Sequence, residues 1–275
     1  MTYKNQTQAK KLTGLSYLGG VATSSKIAKG LKYDEMTYIL YLAPARSSGF
    51  QVCSGATPEC IKACLNESGH NRIDIHKNTI NNARIKKTQL FFNDRPFFMR
   101  WLIDEIRSEQ KKAAAAGMRF SVRLNGTSDL SPEQFHLDGK NILQIFPDVQ
   151  FYDYTKVYNR LDLTKKYSNY DLTYSYSGMN LLQCMSSLEN STRIAVVFEE
   201  LPATFLGYPV IDGDAYDMRY VDSKQCIVGL KYKKVRNKLD LENSNFVISK
   251  DKLTILNKTI SNVPAEIKRV EEPAA

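Results

Sequence analysis

Histidine is scarce in this chain, three residues in 275, and their spacing makes no paired-histidine nuclease motif. There is also no Gly-x-Ser-x-Gly elbow, no nucleophilic triad and no Walker phosphate loop, so the common hydrolase and nucleotidase signatures are excluded. Apolar runs stay far short of the roughly 18 residues that a membrane span needs. Met1 to Lys11 is polar and has no apolar signal-peptide core. The expectation is a cytoplasmic protein with no membrane partner. Acidic residues are outnumbered, 29 Asp and Glu against 38 Lys and Arg, which leaves a formal charge of +9. Such an excess suits a polyanion such as nucleic acid or a nucleotide, and it also suits a surface that only keeps the protein soluble.

Cysteine is infrequent but concentrated. Three of five fall in Cys53-Ser-Gly-Ala-Thr-Pro-Glu-Cys60-Ile-Lys-Ala-Cys64, directly after an apolar run that ends at Ala43-Pro44. In a reducing compartment, three clustered thiols point to metal or redox chemistry before a disulfide framework. Cys184 and Cys226 stand alone in apolar surroundings and read as core residues.

Along the chain, residues 1–35 form a basic arm. Within it, Thr23-Ser-Ser-Lys26-Ile-Ala-Lys29-Gly30 either cradles an anion or is a solvated extension. Met36 to Ala43 reads as a buried strand. Helices are expected over 78–92 and 95–116, the second ended by Gly117. Strands follow at 118–124, 149–154, 170–175, 192–198 and 208–211, mostly separated by helical patterns. This βα alternation predicts a parallel sheet with right-handed crossovers. The favoured fold is α/β, a six-stranded partial (β/α)6 barrel over residues 36–220, with a doubly wound open sheet as the alternative. Residues 221–275 are expected to add a small antiparallel appendage, with strands at 225–230, 245–249 and 253–256, and a frayed tail.

Chemistry in such folds collects at the carboxyl ends of the strands. Those ends carry the cysteine loop, Asn125-Gly126-Thr127-Ser128-Asp129, Asp153 with Lys156, Ser175 with Ser177, Glu199-Glu200, and Asp212-Gly-Asp214. Asp153 and Lys156 suit an acid and base pair at a substrate, or a simple ion pair. Asp212 and Asp214 suit a sugar hydroxyl, a divalent ion or an ordinary turn, and Arg219 and Lys231 are placed to close over an anionic ligand. All six ends pointing to one mouth would make a cleft.

Val52 to Cys64, Asn82-Ala-Arg-Ile-Lys-Lys-Thr-Gln-Leu-Phe-Phe92, Phe151-Tyr-Asp-Tyr-Thr-Lys156 and Val210-Ile-Asp-Gly-Asp214 resemble the phage gene-product-88-like family over most of residues 12–235. The cysteine cluster behind the first strand also resembles the radical S-adenosylmethionine superfamily, although C-x6-C-x3-C is wider than that superfamily's usual C-x3-C-x2-C. The resemblance implies a [4Fe–4S] cluster on Cys53, Cys60 and Cys64, and S-adenosylmethionine held by Asn125 to Asp129 with Ser175 and Ser177. It also implies a 5′-deoxyadenosyl radical directed at an unknown substrate, a nucleotide or nucleic acid among the choices. The competing reading adds His70 to the three thiols as a Cys3His zinc staple beside a basic nucleic-acid-binding surface, without catalysis.

Overall fold

The computed structural model describes residues 1–21, 25–64, 79–233 and 243–261. Its frame is a ten-stranded, mostly parallel sheet. The first elements are α1 (Gln6–Thr13), β1 (Gly19–Val21), α2 (Ser25–Ala28), β2 (Glu35–Leu40) and α3 (Pro58–Lys62). Next come α4 (Thr79–Asn93), α5 (Arg95–Ala115), β3 (Arg119–Arg123), β4 (His136–Leu137) and β5 (Lys140–Asn141). The middle of the chain supplies α6 (Ile142–Ile145), β6 (Gln150–Thr155), α7 (Leu163–Lys166), β7 (Tyr170–Ser175), α8 (Leu181–Glu189) and β8 (Arg193–Phe198). The last part holds β9 (Thr204–Phe205), β10 (Tyr208–Asp212), β11 (Ile227–Lys231), β12 (Val247–Ile248) and α9 (Lys250–Ser261).

The sheet runs β1-β2-β3-β6-β7-β8-β11-β10-β9, while β4 and β5 form a separate hairpin. From β2 to β10 every neighbouring pair is parallel, and the edge strands β1 and β9 are antiparallel. This corrects the six-stranded barrel: the sheet has ten strands, and among the described residues no pairing joins its two edges.

The six expected strands are all present, but the last is displaced. β11 lies between β8 and β10, parallel to both, where an antiparallel appendage was expected. Burial accounts for the order. β11 opens on Ile227, Val228 and Gly229, all buried, whereas β10 is half exposed and takes the outer place. β12 is also parallel, and pairs with β8 at Val197 and Phe198, beyond the point where β7 leaves it at Ser175–Ala195. Leu253 to Leu256, expected as a strand, lies within α9.

α5 carries the largest apolar load. Asp94 caps it, accepting from the Phe97 N–H at 3.2 Å, and Gly117 ends it in the left-handed region at φ 67°. Phe97, Phe98, Trp101, Leu102 and Ile106 pack with Tyr38, Leu40, Val122 and Phe151. Each such side chain contributes about 1.5–3 kcal/mol when fully buried.

Strand alternation sends the other set of side chains to the opposite face, and this set is polar. Thr37 bonds Ser121 at 3.0 Å, and Arg123, Tyr152 and Arg193 are carried on the same face. The link from β10 to β11 runs along it. Asp217 meets Arg123 and Tyr152, the Tyr220 ring lies 5.4 Å from the Tyr152 ring, and the Asp222 carbonyl accepts from Arg193 at 2.9 Å. The crossover thus fills the lower part of the polar face and leaves a cavity at the carboxyl ends of the strands.

Candidate functional site

A cavity of about 930 Å3 lies at that end. The cysteine loop forms one wall. Val52 is fixed through Asp129 N–H donating to its carbonyl at 2.7 Å. Thr57 caps α3, its hydroxyl accepting from Cys60 N–H at 3.3 Å and donating to the Ser177 carbonyl at 3.0 Å. Glu59 accepts from Ser244 at 3.0 Å and from Phe246 N–H at 2.9 Å, which ties the loop to the segment around β12. Cys53, Cys60 and Cys64 all line the cavity. The Cys53 thiol accepts from Ala45 N–H at 3.4 Å and donates to the Thr127 carbonyl at 3.7 Å. Burial pushes its pKa up to about 11.

The Asn125–Asp129 loop forms the adjoining wall, and its side chains are mostly committed to shaping it. Asn125 donates to Asp153 through its N–H at 2.8 Å and its amide at 3.0 Å, and accepts from Ser128 and from Leu130 N–H. Asp129 accepts from Lys156 N–H at 2.8 Å and pairs with Arg160. What the loop offers the cavity is backbone and small side chains. Gly126 has to be glycine for a steric reason: an added Cβ would lie 2.5 Å from the Tyr41 ring and 2.8 Å from the Leu40 carbonyl oxygen. Gly126→Ala should therefore cost about 1–3 kcal/mol through overpacking. Thermal denaturation reads this as a fall of several degrees in Tm, and an unchanged Tm would refute the close approach.

Lys156 lies in the cavity beside the thiols. Burial opposes its charge, but Cys60, Asp129 and Cys53 outweigh that and raise its pKa. Asp153, expected to work with it, is elsewhere. Successive residues of β6 alternate faces, so Tyr154 and Lys156 reach the cavity while Asp153, 1% exposed, is held by Asn125 and by Tyr170 at 3.2 Å. Burial pushes its carboxyl up to about 6 even though Arg160 and Arg123 pull it down. It is a buried anchor of the loop, with no access to a substrate.

The remaining expected residues separate in the same way. Ser175 lines the cavity; Ser177 is buried and its backbone is used by Thr57 and Asn180. Asp212 closes a turn by accepting from Asp214 N–H at 2.8 Å. Asp214 reaches the rim, paired to Lys233 at 3.1 Å, and Lys231 lines the same rim. Arg219 cannot close over a ligand: it is fully buried, paired with Asp222 at 3.2 Å. His70 falls outside the described residues, as do His76, Thr23 and Ser24, whereas Lys26 is described and pairs with Asp217 at 3.3 Å. His136 sits on the exposed β4, its ring bonded to the Glu133 carbonyl.

Sequence reasoning missed three groups of residues. Arg123 and Asp217 form a buried ion pair at the floor. Arg84 and Lys87 project from α4 into the cavity, opposite Tyr41 and Tyr17. The Tyr154 ring, with the Arg123 guanidinium 4.7 Å from its centre, also lines the wall. Arg123 had a legible signal, a charge two residues after Ser121 and so on the same face of the strand.

Among the described residues no three His, Cys, Asp or Glu side chains gather as a single metal ion requires. A zinc tetrahedron on Cys53, Cys60 and Cys64 needs such a gathering, so the zinc staple gains nothing from this geometry. A three-thiolate cluster also needs its sulfurs to converge, so this geometry adds nothing for it either; what the loop offers is the donor type, thiol sulfur, that such clusters take.

The fold and cavity define an α/β protein with a thiol-lined pocket at the carboxyl edge of a parallel sheet. The chain belongs to the Gene product 88 family of phage proteins, whose model matches residues 4–250. No curated protein and no solved structure matches it. No described helix is long and apolar enough to cross a membrane.

Proposed function

We propose that this cavity is a catalytic chamber in which Cys53, Cys60 and Cys64 hold an iron–sulfur cluster and the Asn125–Asp129 loop with Ser175 holds S-adenosylmethionine. One observation carries the reading: the three thiols and that loop line a single cavity, with the Cys53 thiol against the Thr127 carbonyl. Bound there, the two groups would supply reductive cleavage of a sulfonium as their chemistry. The chain's own residues have simpler tasks. The Lys156 ammonium lies beside Cys60 and Cys53, a positive charge next to the thiols. Asn125 and Asp153 hold that loop in shape, and Arg123, Asp217 and Tyr152 close the floor below.

Anaerobic purification with metal and sulfide analysis tests this. About four irons and four sulfides per chain are expected, with a broad absorption band near roughly 400 nm. Cys60→Ser should lose most of the iron while keeping the far-ultraviolet dichroism of the parent. One zinc per chain with no colour, or iron retained in the variant, overturns the reading.

A further inference from the structure

We propose that Arg84 and Lys87 form a phosphate subsite of the cavity, so that the substrate is a small organic phosphate of nucleotide size. The two residues stand one turn apart on α4, and both line the cavity. Lys87 is 6% exposed, yet among the described residues no hydrogen-bond acceptor meets its ammonium. It rests 4.5 Å from the centre of the Tyr17 ring. Glu105, whose charge acts on Lys87, has its oxygens occupied by Leu18 N–H, Gly19 N–H and Tyr38.

The ammonium opens onto the cavity, where an anion from solution can take its three donors. Burial lowers the Lys87 pKa to about 8, with Glu105 opposing the shift and the Arg84 charge adding to it. Arg84, its guanidinium 4.9 Å from the centre of the Tyr41 ring, adds a planar fork that matches phosphate geometry. Two cations favour a dianionic phosphate over a single carboxylate. The rest of the ligand has room, since about 930 Å3 accommodates a nucleotide-sized molecule. Tyr17 is 52% exposed and offers a ring face for a base to stack on.

The inference rests on taking this cavity as the substrate site, but it does not depend on the thiols holding iron. Phosphate binding and iron content are separate measurements, so either reading can fail alone. The test is calorimetric titration of the full chain with inorganic phosphate, adenosine 5′-monophosphate and adenosine. Adenosine monophosphate is expected to bind, adenosine at least ten-fold more weakly, and inorganic phosphate to compete. Lys87→Met keeps the length of the side chain and removes a buried charge, so it should fold, and it should weaken the monophosphate at least ten-fold. Arg84→Gln gives a second variant with the same expected direction. Carbon-13 methylation of the lysines adds a readout that a structural role would not move: the Lys87 resonance should titrate near its lowered value without ligand and at higher pH with phosphate. Equal binding of adenosine and its monophosphate, or unchanged affinity in both variants, overturns the proposal.

Discussion

Asp217→Ala lowers the stability of the fold by about 3–5 kcal/mol in urea denaturation, the loss expected when one partner of a buried ion pair is removed. Asp217 is 2% exposed and sits where the crossover from β10 to β11 meets the polar face of the sheet. Arg123 reaches both of its oxygens at 3.0 Å, the Tyr152 hydroxyl donates at 2.9 Å and Lys26 lies at 3.3 Å. Removing the carboxylate leaves a guanidinium, 14% exposed at the cavity floor, without its ion-pair partner, and the crossover loses its central attachment. A double-mutant cycle separates the pair from its surroundings. Arg123→Met combined with Asp217→Ala should recover part of the loss, because the orphaned charge goes too. Strictly additive single losses would show that the pair is not coupled.

The same carboxylate sets a pH dependence. Burial alone would push it up, but Arg123 above all, then Lys26 and Tyr152, hold it well below the ordinary carboxylate range. A depressed folded pKa means that the unfolded chain takes up the proton first. The contribution is therefore complete above the unfolded value of about 3.9 and is lost as pH falls below it. The parent should weaken in acid along this slope, and Asp217→Ala should lack that component.

Much of the frame was legible because periodicity is local. The apolar octet at Met36, the α5 face from Phe97 to Ile106, and the alternating strands up to Val197 all announce themselves within a few residues. Pairing is not local. Nothing in Gln225 to Leu230 says that this segment inserts between β8 and β10, because its place follows from competition in burial with Tyr208 to Ile211, and that competition is resolved only in the assembled sheet. The site divides along the same line. The loops at the strand ends converge, and the cysteines, Gly126, Lys156, Ser175 and Asp214 line one cavity. Asp153 fails by one position of strand parity. Arg219 fails because its chain turns inward where a surface loop was assumed. Arg84 and Lys87 were unreadable as a site because on a helix with other lysines a charge normally marks the solvated face, and only the approach of Tyr17 and Tyr41 makes this face internal.

Glu105→Ala should cost a comparable amount, about 3–6 kcal/mol, through lost acceptors where the Asp217 loss is one of charge. Glu105 is 7% exposed on α5. Leu18 N–H reaches both of its oxygens at 3.0 and 3.1 Å, Gly19 N–H donates at 3.1 Å, and the Tyr38 hydroxyl donates at 2.6 Å. Alanine leaves two backbone donors and a phenol without partners in a site that water does not reach, and each costs about 1–3 kcal/mol. No neighbour can move in to help. A Cβ at Gly19 would already lie 2.5 Å from the Tyr38 ring, so the arm is fitted to its place. The consequence extends to the cavity, since Tyr17 is held over Lys87 by the residues that Glu105 fixes. Glu105→Ala should therefore lose protection from hydrogen exchange at Leu18 and Gly19, and weaken phosphate binding without touching a phosphate-facing side chain. Glu105→Gln, which keeps one acceptor, should fall between the two. Burial raises the Glu105 carboxyl despite its donors, so the folded chain holds that proton more tightly than the unfolded chain does. Stability from this position accordingly falls as pH rises through the folded value, and the Gln variant should lack the trend. Full protection at Leu18 and Gly19 in the Ala variant would show that the arm is held by other contacts, and that Tyr17 does not depend on Glu105.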